Sequence, residues 1–149
     1  MQAVVLDLAP KRPPKYYLSV RLNDKVSAEL AIDTGAGSTV IPYSVVRQLK
    51  LKASVQALQI PTVVGNLARK QTVLETLTLG SIILRDVPVE YGENENASVP
   101  PRIGMDILGR YRLLLDHPSK KVYFAMPDVG PGSLLAPHLK IDNVLHTKK

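Results

Sequence analysis

Short stretches of β-type patterning follow one another along this chain, each closed by turn residues, and that spacing restricts it to a strand-built fold. Residues 16–22 (Tyr-Tyr-Leu-Ser-Val-Arg-Leu) nearly alternate apolar and polar side chains and end at Asn23-Asp24. Residues 26–32 form a second apolar-rich stretch, so the pair predicts a hairpin. Thr39-Val40-Ile41 is a short β-branched run stopped by Pro42. Further strands are expected at 55–64, 71–79, 82–90, 112–116 and 121–125. The turns between them fall at Gly65-Asn66, Gly80-Ser81, residues 92–96 and His117-Pro118-Ser119. One segment departs from this rhythm: residues 43–51 place Val45, Val46 and Leu49 at helical spacing. The expectation is an all-β barrel or sandwich with one or two short helices.

With 149 residues and 45% hydrophobic content, the chain suits one soluble domain with a buried core. Residues 1–125 are expected to form it, and residues 126–149, rich in Pro and Gly, a C-terminal tail or linker. An acidic, turn-rich surface loop is expected at 92–101. No apolar run approaches the roughly 18 residues that cross a bilayer. Met1-Gln2-Ala3-Val4-Val5-Leu6-Asp7 lacks the basic start of a secretory signal. The expectation is therefore a cytoplasmic location, with export after removal of a signal left open. The absence of cysteine rules out disulfides, a thiol nucleophile and thiolate metal sites. His117, His138 and His146 have no metal-ligand spacing, and neither a nucleophile elbow nor a phosphate loop is present, so no metal or organic cofactor is implied. The formal charge of +6 raises nucleic acid as a partner, but the lysines and arginines are scattered, and one Phe, six Tyr and no Trp leave little for stacking on bases. The charge reads as solvated turns and ends, with no nucleic-acid partner.

The chemistry concentrates in Ile32-Asp33-Thr34-Gly35-Ala36-Gly37-Ser38-Thr39-Val40. A carboxylate closes an apolar strand in a tight Gly-containing turn, which sets Asp33 at the sheet edge and lets a ligand backbone approach at Gly35. Gly35-Ala-Gly37-Ser-Thr-Val40 comes close to a dinucleotide fingerprint, but Val40 replaces the third glycine and a strand follows instead of a helix. A second motif, Arg102-Ile103-Gly104-Met105-Asp106-Ile107-Leu108-Gly109, leads into Arg112–Asp116 and Lys121-Val-Tyr-Phe124.

With both motifs in this order, residues 16–124 resemble the retropepsin-like aspartic peptidases, in wording closer to cellular, bacterial or retroelement members than to lentiviral ones. The resemblance implies an acid-protease barrel in which the strand bearing Gly104 threads beside the Asp33 loop. It implies Asp33, Thr34 and Gly35 as the catalytic turn, and Ala36, Gly37, Arg102 and Ile103 as substrate contacts. It also implies a hairpin flap over residues 60–67, with Val64 and Gly65 touching a polypeptide substrate. Asp106 begins a short helix in the family pattern and is expected to cap amides rather than to catalyse. Arg102 departs from the pattern, which usually has an apolar residue there; it selects an acidic or polar substrate side chain, acts on the catalytic acids through charge attraction, or snorkels to solvent. Gly37 stands where viral enzymes often carry an acid that grips the substrate backbone.

Aspartic peptidases need two carboxylates sharing a proton, one acting on water and the other on the carbonyl. This chain holds a single Asp-Thr-Gly, and Asp7, Asp24, Asp86, Asp106, Asp116, Asp128 and Asp142 lack a comparable turn. The second acid is therefore expected from another copy, in a two-fold homodimer with Thr34 bonding across the axis. The competing expectation is a catalytically weak or inactive dimeric scaffold that binds peptides on the same fold.

Overall fold

The computed structural model describes residues 3–12, 15–62, 65–93, 100–126 and 140–142. In chain order the elements are β1 (Ala3–Asp7), β2 (Ala9–Arg12), β3 (Lys15–Leu22), β4 (Val26–Ile32), α1 (Tyr43–Gln48), β5 (Val55–Thr62) and β6 (Gly65–Leu79), then β7 (Ile82–Tyr91), β8 (Arg102–Ile103), α2 (Met105–Leu108), β9 (Arg112–Asp116), β10 (Lys121–Ala125) and β11 (Lys140–Asp142).

β3 and β4 form the hairpin that the alternation anticipates, paired from Tyr17↔Ala31 to Leu22↔Val26. Leu18, Val20 and Leu22 point inward while Ser19 and Arg21 face out, the period of two that gives a strand one buried face. β6 continues the sheet beyond β3, and β7 lies beyond β6. On the other side β8 runs parallel to β4, with Ala31 opposite Arg102 and Ile32 opposite Ile103. Val40 then bridges β8 to β7, pairing with Arg102 on one side and Glu90 on the other. That residue closes the path β7-β6-β3-β4-β8 into a barrel. Closure leaves the interior dry: Leu18, Leu22, Leu30, Leu74, Leu77, Leu84 and Ile103 are 0% exposed. Each such side chain contributes on the order of 1.5–3 kcal/mol when removed from water.

A second, three-stranded sheet has the order β1-β10-β9 and packs Val122 and Phe124 into the same core. Tyr111 meets Phe124 edge-on, with ring centroids 5.6 Å apart. β1 and β2 were not anticipated from sequence. β5 and β6 are joined differently from the expectation: Thr62 pairs with Gly65 and Pro61 with Asn66. Gly65-Asn66 therefore opens β6 instead of forming the turn, and the two-residue connection is 63–64, outside the described residues. The slip is two positions, which leaves the facing of each strand unchanged. Residues 94–99 of the acidic loop also lie outside the described residues. From the C-terminal stretch, β11 pairs antiparallel with β7, Ile141 lying opposite Leu84.

Candidate active site

The threading of β8 builds the site. Asp33 follows the last residue of β4, and its backbone N–H donates to the Ile103 carbonyl at 3.1 Å, so the turn starts from a fixed point on β8. Four residues beyond the turn, Val40 and Arg102 exchange two N–H···O bonds of 2.9 Å, which clamps the other end of the loop to the same strand. Within the turn, the Asp33 carbonyl accepts from Ala36 N–H at 3.2 Å, and the Asp33 Oδ1 accepts from Gly35 N–H at 3.0 Å. The carboxylate is thereby oriented while its side chain stays 41% exposed. A Cβ on Gly35 would meet Oδ1 at 3.4 Å, an ordinary contact. Thr34, Gly35 and Gly37 are exposed on the turn and Ala36 is buried under it.

The loop is buttressed from behind by α2. Gly104 packs against the turn so closely that a Cβ there would lie 2.6 Å from the Ser38 carbonyl oxygen and 2.9 Å from that of Ala36. Met105 N–H donates to the Ala36 carbonyl at 2.7 Å. Asp106 reaches from α2 to the fully buried Thr39, taking its backbone N–H on Oδ2 at 3.0 Å and its hydroxyl on Oδ1 at 2.8 Å. The Thr39 hydroxyl in turn accepts from Gly104 N–H at 3.1 Å. Asp106 also accepts from Ile107 N–H at 3.0 Å, so it does satisfy a helix amide, but it does more than cap. Both of its oxygens are committed to holding the Asp33 loop, a structural duty.

Arg102 and Ile103 part company. Ile103 is 0% exposed in the core, and it serves the site through its carbonyl. Arg102 is 21% exposed, with Nη1 3.8 Å from the Asp33 Oδ2. That separation exceeds hydrogen-bond length, so the two attract without a bond. Val64 lies outside the described residues, and Gly65 opens β6.

A second polar cluster was not visible in the sequence. Arg69 on β6 donates to Glu90 Oε2 at 3.0 Å, and Ser38 Oγ donates to the same oxygen at 2.9 Å. The two charged side chains are only 7% and 12% exposed. This network ties the strand that returns from the 63–64 connection to the end of β7 and to the Asp33 loop. Beside it lies a cavity of about 260 Å³ lined by Ser38, Glu90, Asp106 and Arg110 among others. β7 also carries Arg85 and Asp86, so nothing in the sequence singles out Glu90, and its partners depend on pairing between distant segments.

Residues 18–110 match the family described as gag-polyprotein putative aspartyl protease. The chain belongs to this family. Its fold is that of the retropepsin-like proteases among solved structures. A retropepsin-like aspartic protease from Rickettsia conorii superposes with a TM-score of 0.59 at 17% identity, over 83% of this chain and 98% of that one. The EIAV protease in complex with an inhibitor gives 0.52 at 24% identity, over 66% of this chain and 86% of that one. No curated protein matches the sequence. Among the described residues, no helix is long and apolar enough to cross a membrane.

Proposed function

We propose that this retropepsin-like protein is an aspartic endopeptidase in which Asp33 of two copies form the catalytic pair. The observation that carries the reading is the oriented, half-exposed Asp33 carboxylate, held at the mouth of a loop that β8 and α2 clamp from both sides. One such acid cannot act as base and acid at the same moment, so the second comes from a symmetry-related chain. In the dimer the two carboxylates share a single proton, because like charges so close do not both ionise. The ionised member takes a proton from a water lying between them, and the oxygen attacks the peptide carbonyl. The protonated member gives its proton to the carbonyl oxygen. In the second half-reaction the first acid gives the proton it took from water to the amide nitrogen, and the other carboxylate takes a proton from one hydroxyl of the tetrahedral carbon. The C–N bond breaks to a carboxylic acid and an amine, with the shared proton restored. Thr34 and Gly35 shape the turn, with the exposed Thr34 hydroxyl available to the partner copy. Gly37 and Arg102 border the substrate, and the β5–β6 hairpin serves as flap, excluding water and donating backbone hydrogen bonds to the peptide.

A second reading, a dimeric peptide-binding module without useful turnover, is favoured by one feature: the Arg102 guanidinium set 3.8 Å from Asp33. Incubation with a denatured protein at acid and neutral pH separates the two. Cleavage by the wild type, lost in Asp33→Asn, is expected for the peptidase. Cleavage that survives Asp33→Asn overturns it, and binding without cleavage leaves the module.

A further inference from the structure

Arg69, Arg102 and Arg110 each hold a buried donor without a partner among the described residues, and of these only Arg102 also lies within 4 Å of the Asp33 carboxylate. In Arg102 the buried donor is Nε. Among the described residues, the acid within ion-pair range of Arg102 is Asp33, at 3.8 Å and beyond bonding reach. A guanidinium carries five donors in a planar fork and remains charged at every working pH. Holding the charge at 21% exposure costs free energy, and a carboxylate seated on the terminal Nη pair, the end that faces Asp33, offsets that cost with two parallel charge-assisted bonds. The backbone on either side of Arg102 is locked, since its N–H and carbonyl both bond Val40 at 2.9 Å. The fork is therefore presented from a rigid strand, not from a loop.

We propose that Arg102 is a specificity residue that selects an acidic side chain, Asp or Glu, at a residue flanking the cleaved bond. The inference rests on the peptidase reading for the location of that bond: a group within 4 Å of the acting carboxylate reaches the side chains next to the scissile carbonyl. In a two-fold dimer a second Arg102 faces the opposite flank, so acids are selected on either side. The substrate class is a polypeptide with Asp or Glu at the cut site, as opposed to the apolar pair that an aliphatic residue at 102 would favour.

The test has two arms. In the first, the dimer cleaves a library of peptides derived from whole-cell protein, and the residues flanking each cut are counted. Enrichment of Asp and Glu for the wild type, its loss in Arg102→Leu, and a swing toward Lys and Arg in Arg102→Glu are expected. A wild-type profile without acid enrichment, or one that survives in Arg102→Leu, overturns the proposal. In the second arm, Asp33→Asn is titrated with fluorescein-labelled peptides that carry either Glu or Gln among apolar residues. The Glu peptide should bind tighter by about ten- to a hundred-fold, the worth of one charge-assisted contact. That gap should vanish in Asp33→Asn/Arg102→Leu. If the wild type cuts nothing, the peptidase reading fails while this arm still decides on Arg102; equal binding of the two peptides rejects it.

Discussion

Replacing Asp106 by alanine separates a structural acid from a catalytic one. The substitution removes both acceptors of Thr39, whose N–H and hydroxyl are wholly enclosed. Ile107 N–H keeps a partner, because it also donates to the Gly104 carbonyl at 3.1 Å. The Thr39 hydroxyl keeps its bond from Gly104 but has no acceptor left for its own proton. Two buried donors are orphaned, at about 1–3 kcal/mol each, so Asp106→Ala should cost about 2–6 kcal/mol. Against a total of about 5–15 kcal/mol this is severe, and at about 2–4 °C per kcal/mol for a chain of this size the midpoint should fall by roughly 8–16 °C for a loss near 4. Thermal and urea unfolding measure it directly. A thermodynamic cycle sharpens the claim: Thr39→Val removes the hydroxyl, and Asp106→Ala/Thr39→Val should cost clearly less than the sum of the single losses, since both changes delete the same contact. A loss under about 1 kcal/mol in Asp106→Ala would refute the reasoning. So would peptide cleavage abolished at unchanged stability, which would assign Asp106 to the chemistry.

Three further outcomes follow from the same geometry. Gly104→Ala forces a Cβ to within 2.6 Å of the Ser38 carbonyl, backbone that cannot yield cheaply, and should destabilise by about 1–3 kcal/mol or more; a thermal midpoint within a degree of wild type would contradict the packing. Arg69→Met leaves Glu90 buried beside Ser38 without its cation and should cost about 3–5 kcal/mol by urea unfolding, while Arg69→Met/Glu90→Met should recover part of the loss; a double variant worse than the single would count against a paired network. Asp116 is held below the ordinary carboxylate range by hydrogen bonds from the Ser119 hydroxyl and N–H. A depressed acid stabilises above its unfolded pKa and loses that contribution as pH falls through the folded value. Ser119→Ala should therefore raise the Asp116 titration, read by NMR, and a titration left in place would reject the assignment.

How much of this could be read from the chain depended on sequence distance. The β3–β4 hairpin was legible because its alternation and its Asn23-Asp24 turn are local, and both ends of β4, β9 and β10 fall where the pattern put them. The Asp33 loop and the Gly104 motif were legible as residue types in order, though neither shows the Thr39–Asp106 bond, which spans 67 residues. β1 escaped because its partner β10 is more than a hundred positions away, and β2 because Pro10, Lys11 and Arg12 carry no strand signal. Gly65-Asn66 misled for a related reason. A turn-prone pair states that a bend is near, whereas the register that places Gly65 opposite Thr62 is set by pairing along the whole hairpin. The Arg69–Glu90–Ser38 network needs three elements to converge and has no linear signature.

The pairing of two Asp33 carboxylates is tested most directly by mixing wild type with Asp33→Asn at fixed total protein, allowing the chains to exchange, and measuring peptide cleavage. If each catalytic site takes one acid from each of two copies, a half-and-half mixture retains about a quarter of the wild-type activity, because only one dimer in four holds both acids. Retention of one half, falling in proportion to the mutant share, would mean that each chain works alone.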